Sequence, residues 1–310
     1  MIKIFKTFGE STEIEKAEKG CWINVTNPNS YEIKTLTTKY NLPGDLVNDI
    51  LDIDERSRVE FDEDWTLIIL RISIASLNNN NLPFYTVPIG VFITENFTVS
   101  ICLEDNEVLP MDHPAIFKGY THQISDSINF VLHLFLNSGK LYLRHLKQIN
   151  KMTNLIEQDL EKSIKNKELN KLLKMEKCLV YFITALKANE IVLNRLRKNK
   201  TFTKDINKEL IDDAYIENRQ ALEMSKIYAN IQSGMMATFT SVISNNLNVV
   251  MKKLTLISII LMIPTLIASV FGMNIPNGLE NITFAMPVII FVSILLSVIG
   301  VFVFKKRQWI

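Results

Sequence analysis

Two apolar runs near the end of the chain limit what it can fold into. Residues 254–274 read LTLISIILMIPTLIASVFGMN and residues 284–304 read FAMPVIIFVSILLSVIGVFVF, and neither contains a charge. At a rise of about 1.5 Å per residue, each is long enough as a helix to cross a hydrocarbon core about 30 Å thick. The pair predicts a membrane hairpin with spans at about 254–273 and 284–304. Lys252 and Lys253 precede the first run, Lys305, Lys306 and Arg307 follow the second, and the connection 275–283 carries only Glu280. Positive residues stay on the cytosolic side, so both chain ends are expected inside and the connection outside. The first residues, MIKIFKTFGESTE, lack the apolar core of a secretion signal, which leaves the region before the hairpin in the cytosol.

That region is read as soluble. A net charge of +1 gives no broad basic face for nucleic acid. The 3 cysteines, Cys21, Cys102 and Cys178, are far apart and odd in number. They form neither a disulfide framework nor a zinc motif, and they fit a reducing compartment. Up to about residue 122, apolar strand-like runs alternate with polar turns. Trp65 opens a run rich in β-formers, and segments 87–94 and 97–103 read as a hairpin joined at Glu95-Asn96. Segments 30–40 and 43–52 read as helices, with Pro43 near a helix start.

From residue 123 the pattern changes. No proline occurs between Pro114 and Pro264, and no glycine between Gly139 and Gly234. Such a gap in helix breakers predicts long helices. One is expected at about 125–165, with Ile128, Val131, Leu132, Phe135, Leu146, Ile149, Ile156 and Leu160 on its apolar stripe. A second is expected at about 168–198, through Leu172, Met175, Leu179, Phe182, Leu186, Leu193 and Leu196. After a turn at Asn199-Lys200-Thr201, a third begins near Asp205 and meets no stop before the membrane. It would be about 100 Å long, which suits a stalk running into a membrane span. The fold class is therefore an α+β membrane protein. It has a cytosolic mixed α/β domain (1–122), a long-helix stalk (123–252) and a transmembrane hairpin with a basic tail (253–310).

Within the first span, Asn248, Met251, Thr255, Ser258, Met262, Thr265 and Ser269 recur at steps of three and four, on one helix face. Lipid gives no reason to gather small and polar residues on one side. Close helix packing does, and so does a water-filled pore. Two spans cannot enclose a channel, so a pore would require a ring of identical subunits, each polar side chain becoming a ring of ligands.

The run ends in Phe271-Gly272-Met273-Asn274, which resembles the Gly-Met-Asn signature of the CorA family of magnesium channels. The entry to the first span (SNNLNVVMKKLT, 244–255), the basic Trp-bearing tail (KKRQW, 305–309), Val59-Glu60 and the hairpin at Thr94-Glu95-Asn96 also resemble that family. The resemblance implies a funnel-shaped homopentamer in the cytoplasmic membrane, with the first span lining the pore. It implies a selectivity filter at Gly272, Met273 and Asn274, with Asn274 as the outer ring. It matches Asn248, Met251, Leu254, Ser258, Met262 and Thr265 to pore-facing positions. Ser269 continues the same face.

These residue types suit Mg²⁺, which gives up its waters reluctantly. Amide and hydroxyl oxygens accept hydrogen bonds from the water shell without stripping it, and several weak sites favour conduction. Met251 and Leu254 are candidates for an apolar gate that empties of water, with packing between stalks as the alternative. Ser138-Gly139-Lys140 is not a phosphate loop, because Leu134 and Leu141 stand where the pattern requires Gly and Ser or Thr. An inside-negative potential gives a divalent ion about 4.6 kcal/mol per 100 mV, so passive entry is the simplest mechanism.

The third helix opens with Asp205, Glu209, Asp212, Asp213, Glu217 and Glu223. Segment 213–217 (DAYIE) resembles the family stretch whose Asp helps bind a regulatory Mg²⁺ between subunits, which makes Asp213 and Glu217 candidates. A solvated helix face is the other reading. The resemblance leads one to look for a partner carboxylate after the Trp65 strand, but the chain there reads ASLN (75–78). Glu280 could concentrate cations at the outer mouth. His113, His122, His133 and His145 lack ligand spacing, and no nucleophile–base pair appears, so no enzyme is expected. The expected cargo is Mg²⁺, with Co²⁺ or Ni²⁺ as further substrates. A zinc or other divalent transporter of the same fold, and a non-conducting membrane-anchored coiled-coil scaffold or sensor, remain alternatives.

Overall fold

The computed structural model describes residues 1–8, 13–76, 82–109, 124–162, 166–199, 206–273 and 284–307. Its N-terminal part is organised by a sheet ordered β1-β2-β6-β5-β4-β3. The strands are β1 (Ile2–Phe5), β2 (Cys21–Thr26), β3 (Arg58–Phe61), β4 (Trp65–Ala75), β5 (Phe84–Thr94) and β6 (Phe97–Cys102). All pairings are antiparallel except β2 with β6, where Thr26 stands opposite Cys102. The hairpin at Glu95-Asn96 is present as expected. The Thr94 hydroxyl closes it, donating to the Phe97 carbonyl at 2.8 Å and accepting the Phe97 amide at 3.1 Å.

The sheet is covered on both faces. On one side lie α1 (Ser30–Thr38) and α2 (Gly44–Ile50), matching the helices read at 30–40 and 43–52. Asn29 and Glu32 close a capping box at the start of α1, and Pro43 is the N-cap of α2. The Asn29 amide donates to the Glu32 carboxylate and holds its pKa below the usual value. These helices bury Leu36, Val47 and Ile50 against Ile23, Leu67, Ile69 and Phe92. Gly90 allows the close approach, since a Cβ there would overlap the side chain of Ile50.

The other face carries α3 (Ile124–Lys162), α4 (Asn166–Lys198) and the beginning of α5 (Lys208–Phe271). Every residue named above for the stripes of the first two long helices is buried. Ile128, Val131 and Phe135 of α3 share one core with Ile68, Leu70 and Ile72 of β4 and with Val192 and Leu196 of α4. Asn189 ties α4 to the sheet by standing in for a missing strand. It accepts the Arg71 amide at 2.9 Å and donates to the Arg71 carbonyl at 2.8 Å. The cysteines are free and buried, and burial pushes Cys102 up to about 12 and Cys178 to about 11. Neither supplies a reactive thiolate near neutral pH.

The third long helix is α5, continuous from Lys208 to Phe271 with Pro264 inside it. Asp205, Lys200 and Thr201 lie outside the described residues. The chain divides into two compact units, Met1–Met235 and Met236–Ile310, and the division falls within α5. The second unit comprises the rest of α5 and α6 (Ala285–Lys306). Both helices are long and apolar enough to cross a membrane.

Candidate functional site

Within the second unit, α5 has one face turned toward α6. On α5, Leu256 is buried, and Ile260, Ile263, Pro264 and Ile267 are half-buried. The shielded positions of α6 are Ile289, Ser293, Ser297, Gly300 and Phe304, again at steps of three and four. Ser293 is only 7% exposed, and a Cβ on Gly300 would stand 3.6 Å from Ile263 Cδ1. Small side chains on one face of a membrane helix suit contact with another helix in a medium that offers no hydrophobic drive. The sequence reading missed this α6 face. Its signal was available in Ser293, Ser297 and Gly300, spaced along one face of the second run.

The polar stripe of α5 lies elsewhere on the helix. Asn248, Met251, Thr255, Ser258, Met262, Thr265 and Ser269 are all exposed in the protomer. At about 100° per residue, the centre of the stripe is roughly 150° around the helix from the face toward α6. Packing against the chain's own second span therefore does not account for it. What remains to cover the stripe is a neighbouring molecule or water.

The hydroxyls on this face are turned back to the helix. Thr255 donates to the Met251 carbonyl at 2.9 Å, Ser258 to Leu254 at 2.9 Å, and Thr265 to Met262 at 2.9 Å. Each proton is thereby committed to the backbone, and the outward chemistry is the oxygen lone pair. These three side chains thus present uncharged oxygen acceptors on the exposed face. Met251 and Leu254 add apolar side chains near its N-terminal end and are 55% and 54% exposed. Other faces carry exposed Ile257 and Leu261, as lipid contact requires.

At the far end, the Gly272 amide donates to the Ala268 carbonyl at 2.9 Å. A Cβ on Gly272 would come within 3.0 Å of that carbonyl oxygen, so the close return of the chain favours glycine. Met273 is exposed. Asn274 and Glu280 lie outside the described residues.

In the first unit, Asp213 is exposed on α5 and Glu217 is half-buried beside Gly139 of α3, whose Cβ would stand 3.0 Å from that of Glu217. The neighbouring Asp212 pairs with Arg197 at 2.9 Å. Among the described residues, no group of three or more His, Cys, Asp or Glu is placed to hold a metal ion. Asp213 and Glu217 therefore do not complete a site within one protomer.

Residues 17–307 match the family model described as CorA-like Mg²⁺ transporter protein. The chain is 28% identical over 293 residues to the cobalt/magnesium transport protein CorA of Methanocaldococcus jannaschii, covering 93% of this chain and 91% of that protein. It is 23% identical over 321 residues to the protein of the same description from Thermotoga maritima, covering 100% of this chain and 90% of that one. Its fold is similar to the complete structure of the CorA magnesium transporter from M. jannaschii, with a TM-score of 0.82, 23% identity and coverage of 100% and 99% of the two chains.

Proposed function

We propose a function from one premise: the chain belongs to the CorA-like Mg²⁺ transporter family, which is a family of transporters and not of enzymes. On that premise it carries Mg²⁺ across the cytoplasmic membrane, with Co²⁺ or Ni²⁺ as further cargo. We infer a passive homopentameric channel whose pore is lined by the stripe from Asn248 to Ser269, with both chain ends cytosolic. The observation that supports this reading is that the centre of the stripe lies roughly 150° around α5 from the face toward α6, and that the hydroxyls of Thr255, Ser258 and Thr265 turn uncharged oxygen lone pairs outward. Five copies arranged with that face inward turn each acceptor into a ring. Such rings hold a hydrated ion at several weak sites and let it leave.

In this mechanism, Gly272, Met273 and Asn274 form the outer filter. The Asn274 amides accept hydrogen bonds from the ion's waters, and Glu280 raises the local cation concentration. Met251 and Leu254 form an apolar constriction at the inner mouth that closes by losing its water. The membrane potential supplies the driving force. Cytosolic Mg²⁺ regulates the gate by bridging carboxylates of adjacent copies, Asp213 and Glu217 being this chain's contribution. When cytosolic Mg²⁺ falls, the carboxylates repel and the ring loosens.

Ion uptake by purified protein in liposomes tests the reading. Mg²⁺ enters down its gradient, an inert hexa-ammine complex blocks entry, and Asn274→Ala lowers the initial rate by roughly tenfold or more. Unchanged uptake by Asn274→Ala with the oligomer intact would remove the filter, and absence of flux would leave the non-conducting scaffold. Asp213→Ala is expected to weaken inhibition by Mg²⁺ on the cytosolic face. Competition by Zn²⁺ in the same assay separates the zinc alternative.

A further inference from the structure

The first unit contains a large cleft that the ion pathway does not use. Its volume is about 1220 Å³, ample for a molecule of a few hundred daltons. It opens beyond the carboxyl ends of β2 and β6, the parallel pair of the sheet, with Asn27 following β2 and Glu104 and Asp105 following β6. In open sheets, a crevice beyond the carboxyl ends of parallel strands is the usual place for a ligand. Asn27 also holds a left-handed backbone, with φ 45°.

Arg71 gives the cleft its chemistry. Its main chain is fixed from two helices. Asn189 of α4 makes the paired bonds described above, and Tyr142 of α3 donates to the Arg71 carbonyl at 3.2 Å. Its guanidinium is aimed by Thr86, through Nη2 to the carbonyl at 2.8 Å and to Oγ1 at 2.9 Å, and by the Glu55 carbonyl. Every one of these acceptors is neutral, and among the described residues no carboxylate closes an ion pair with Arg71. Arg58 is the contrast, since Asp49, Glu55 and Glu60 all pair with it. Burial lowers the pKa of Arg71. The carboxylates of Asp54, Glu55 and Asp52 act on it through space without bonding to it, and a rigidly held, partly desolvated cation with no bonded carboxylate is arranged to receive an anion.

The remaining walls narrow the kind of anion. Tyr85 and Tyr181 line the cleft, and Tyr181 is half exposed. Asp54 and Asp105 stand in the wall as acceptors, while the Tyr85 hydroxyl already engages Glu104. A deep anionic group, a flat ring and outward hydroxyl donors are therefore required together. A carboxylate just past a strand end is also the group that takes up a ribose hydroxyl in dinucleotide sites.

We propose that this cleft is a binding site for a nucleoside phosphate, with the phosphate on Arg71, the ribose hydroxyls on Asp54 or Asp105, and the base against Tyr85 and Tyr181. The site is separate from the pore and does not depend on conduction.

Calorimetric titration of the full-length protein in detergent with adenosine monophosphate, at fixed Mg²⁺, tests the proposal. The expected result is saturable binding in the range of roughly 1 mM or tighter. Arg71→Gln weakens it by about tenfold or more, and Tyr181→Ala, an exposed position that leaves folding intact, by roughly threefold to tenfold. Inorganic phosphate and adenosine each bind at least about tenfold more weakly than the nucleotide. No saturable heat, binding unchanged in Tyr181→Ala, or phosphate binding as tightly as the nucleotide would each overturn the proposal. Tyr181→Ala keeps the test open should Arg71→Gln fail to fold.

Discussion

Residues Met1–Met235 and Met236–Ile310 solve the same physical problem in opposite ways. The first unit places its large side chains inside and satisfies buried polar groups from within. Trp22 donates to Ser100, His145 bonds Ser73 at 2.9 Å, and Asn218 donates to the Leu186 carbonyl at 3.0 Å. The second unit leaves leucines, isoleucines and valines exposed along nearly its whole length and shields only a narrow seam. In water that surface would be an aggregation patch. It is a stable arrangement only where lipid covers the apolar faces and something other than lipid meets the polar one. The contrast teaches that the second unit has one face suited neither to lipid nor to its own second span, and that this face is the one carrying the hydroxyls.

Four outcomes break or sharpen this comparison. Phe182 is fully buried in the first unit, and Phe182→Ala is expected to cost about 3–5 kcal/mol in thermal or denaturant unfolding of that unit. Met251→Ala, at an exposed position, should leave that transition unmoved and instead raise ion leak. Next in size, Leu261→Asp puts a charge on the lipid face, where insertion costs roughly 2.5–3.5 kcal/mol, and should lower the yield of membrane-integrated protein. Ser258→Asp faces water in this account and should insert nearly as well as the parent. Equal loss of both would mean that the two faces share one solvent.

The third outcome concerns pH. Burial lowers the pKa of His145 to about 4, with Arg144 adding to the effect and Glu107 opposing it. The unfolded chain therefore binds the proton more readily. The resulting stability is complete above about pH 6.5 and is lost as pH falls toward 4. The expected loss is on the order of 2–3 kcal/mol, read as a falling unfolding temperature of the first unit, and His145→Asn should flatten it. The smallest effect is at the α1 cap, where Asn29→Ala should cost about 1 kcal/mol.

What the sequence made legible was whatever has a local period. The stripes of α3 and α4, the turn at Glu95-Asn96 and the charge-free spans are each encoded within a few turns of chain, and all appear as read. The strands β1 and β2 were not read, because their identity rests on pairing between distant segments. Nothing near Cys21 announces that it will lie parallel to Phe97. Asn189 is likewise invisible as a clamp until α4 lies over Arg71. For the candidate site, the stripe could be seen in sequence, but its meaning could not. Small residues on a membrane helix serve packing and water equally well until the partner helix is in place, and α6 turns out to use the face of Leu256 and Ile267. Asn274 rests on the family resemblance and Glu280 on being the one charge of the connection 275–283; both lie outside the described residues.

Thiol accessibility is the most direct test of the claim that the stripe borders water. In a background with Cys21, Cys102 and Cys178 replaced, single cysteines are placed at Ser258 and Thr265 on the stripe, at Ile257 and Leu261 on the apolar faces, and at Ile267 on the face toward α6. A charged, membrane-impermeant thiol reagent is then applied to the assembled protein in liposomes under conditions that open it. The account predicts rapid modification at 258 and 265 with loss of Mg²⁺ entry, and none at 257, 261 or 267. Unreactive cysteines at 258 and 265 in protein that conducts Mg²⁺, or reaction equally fast on all faces, would contradict it.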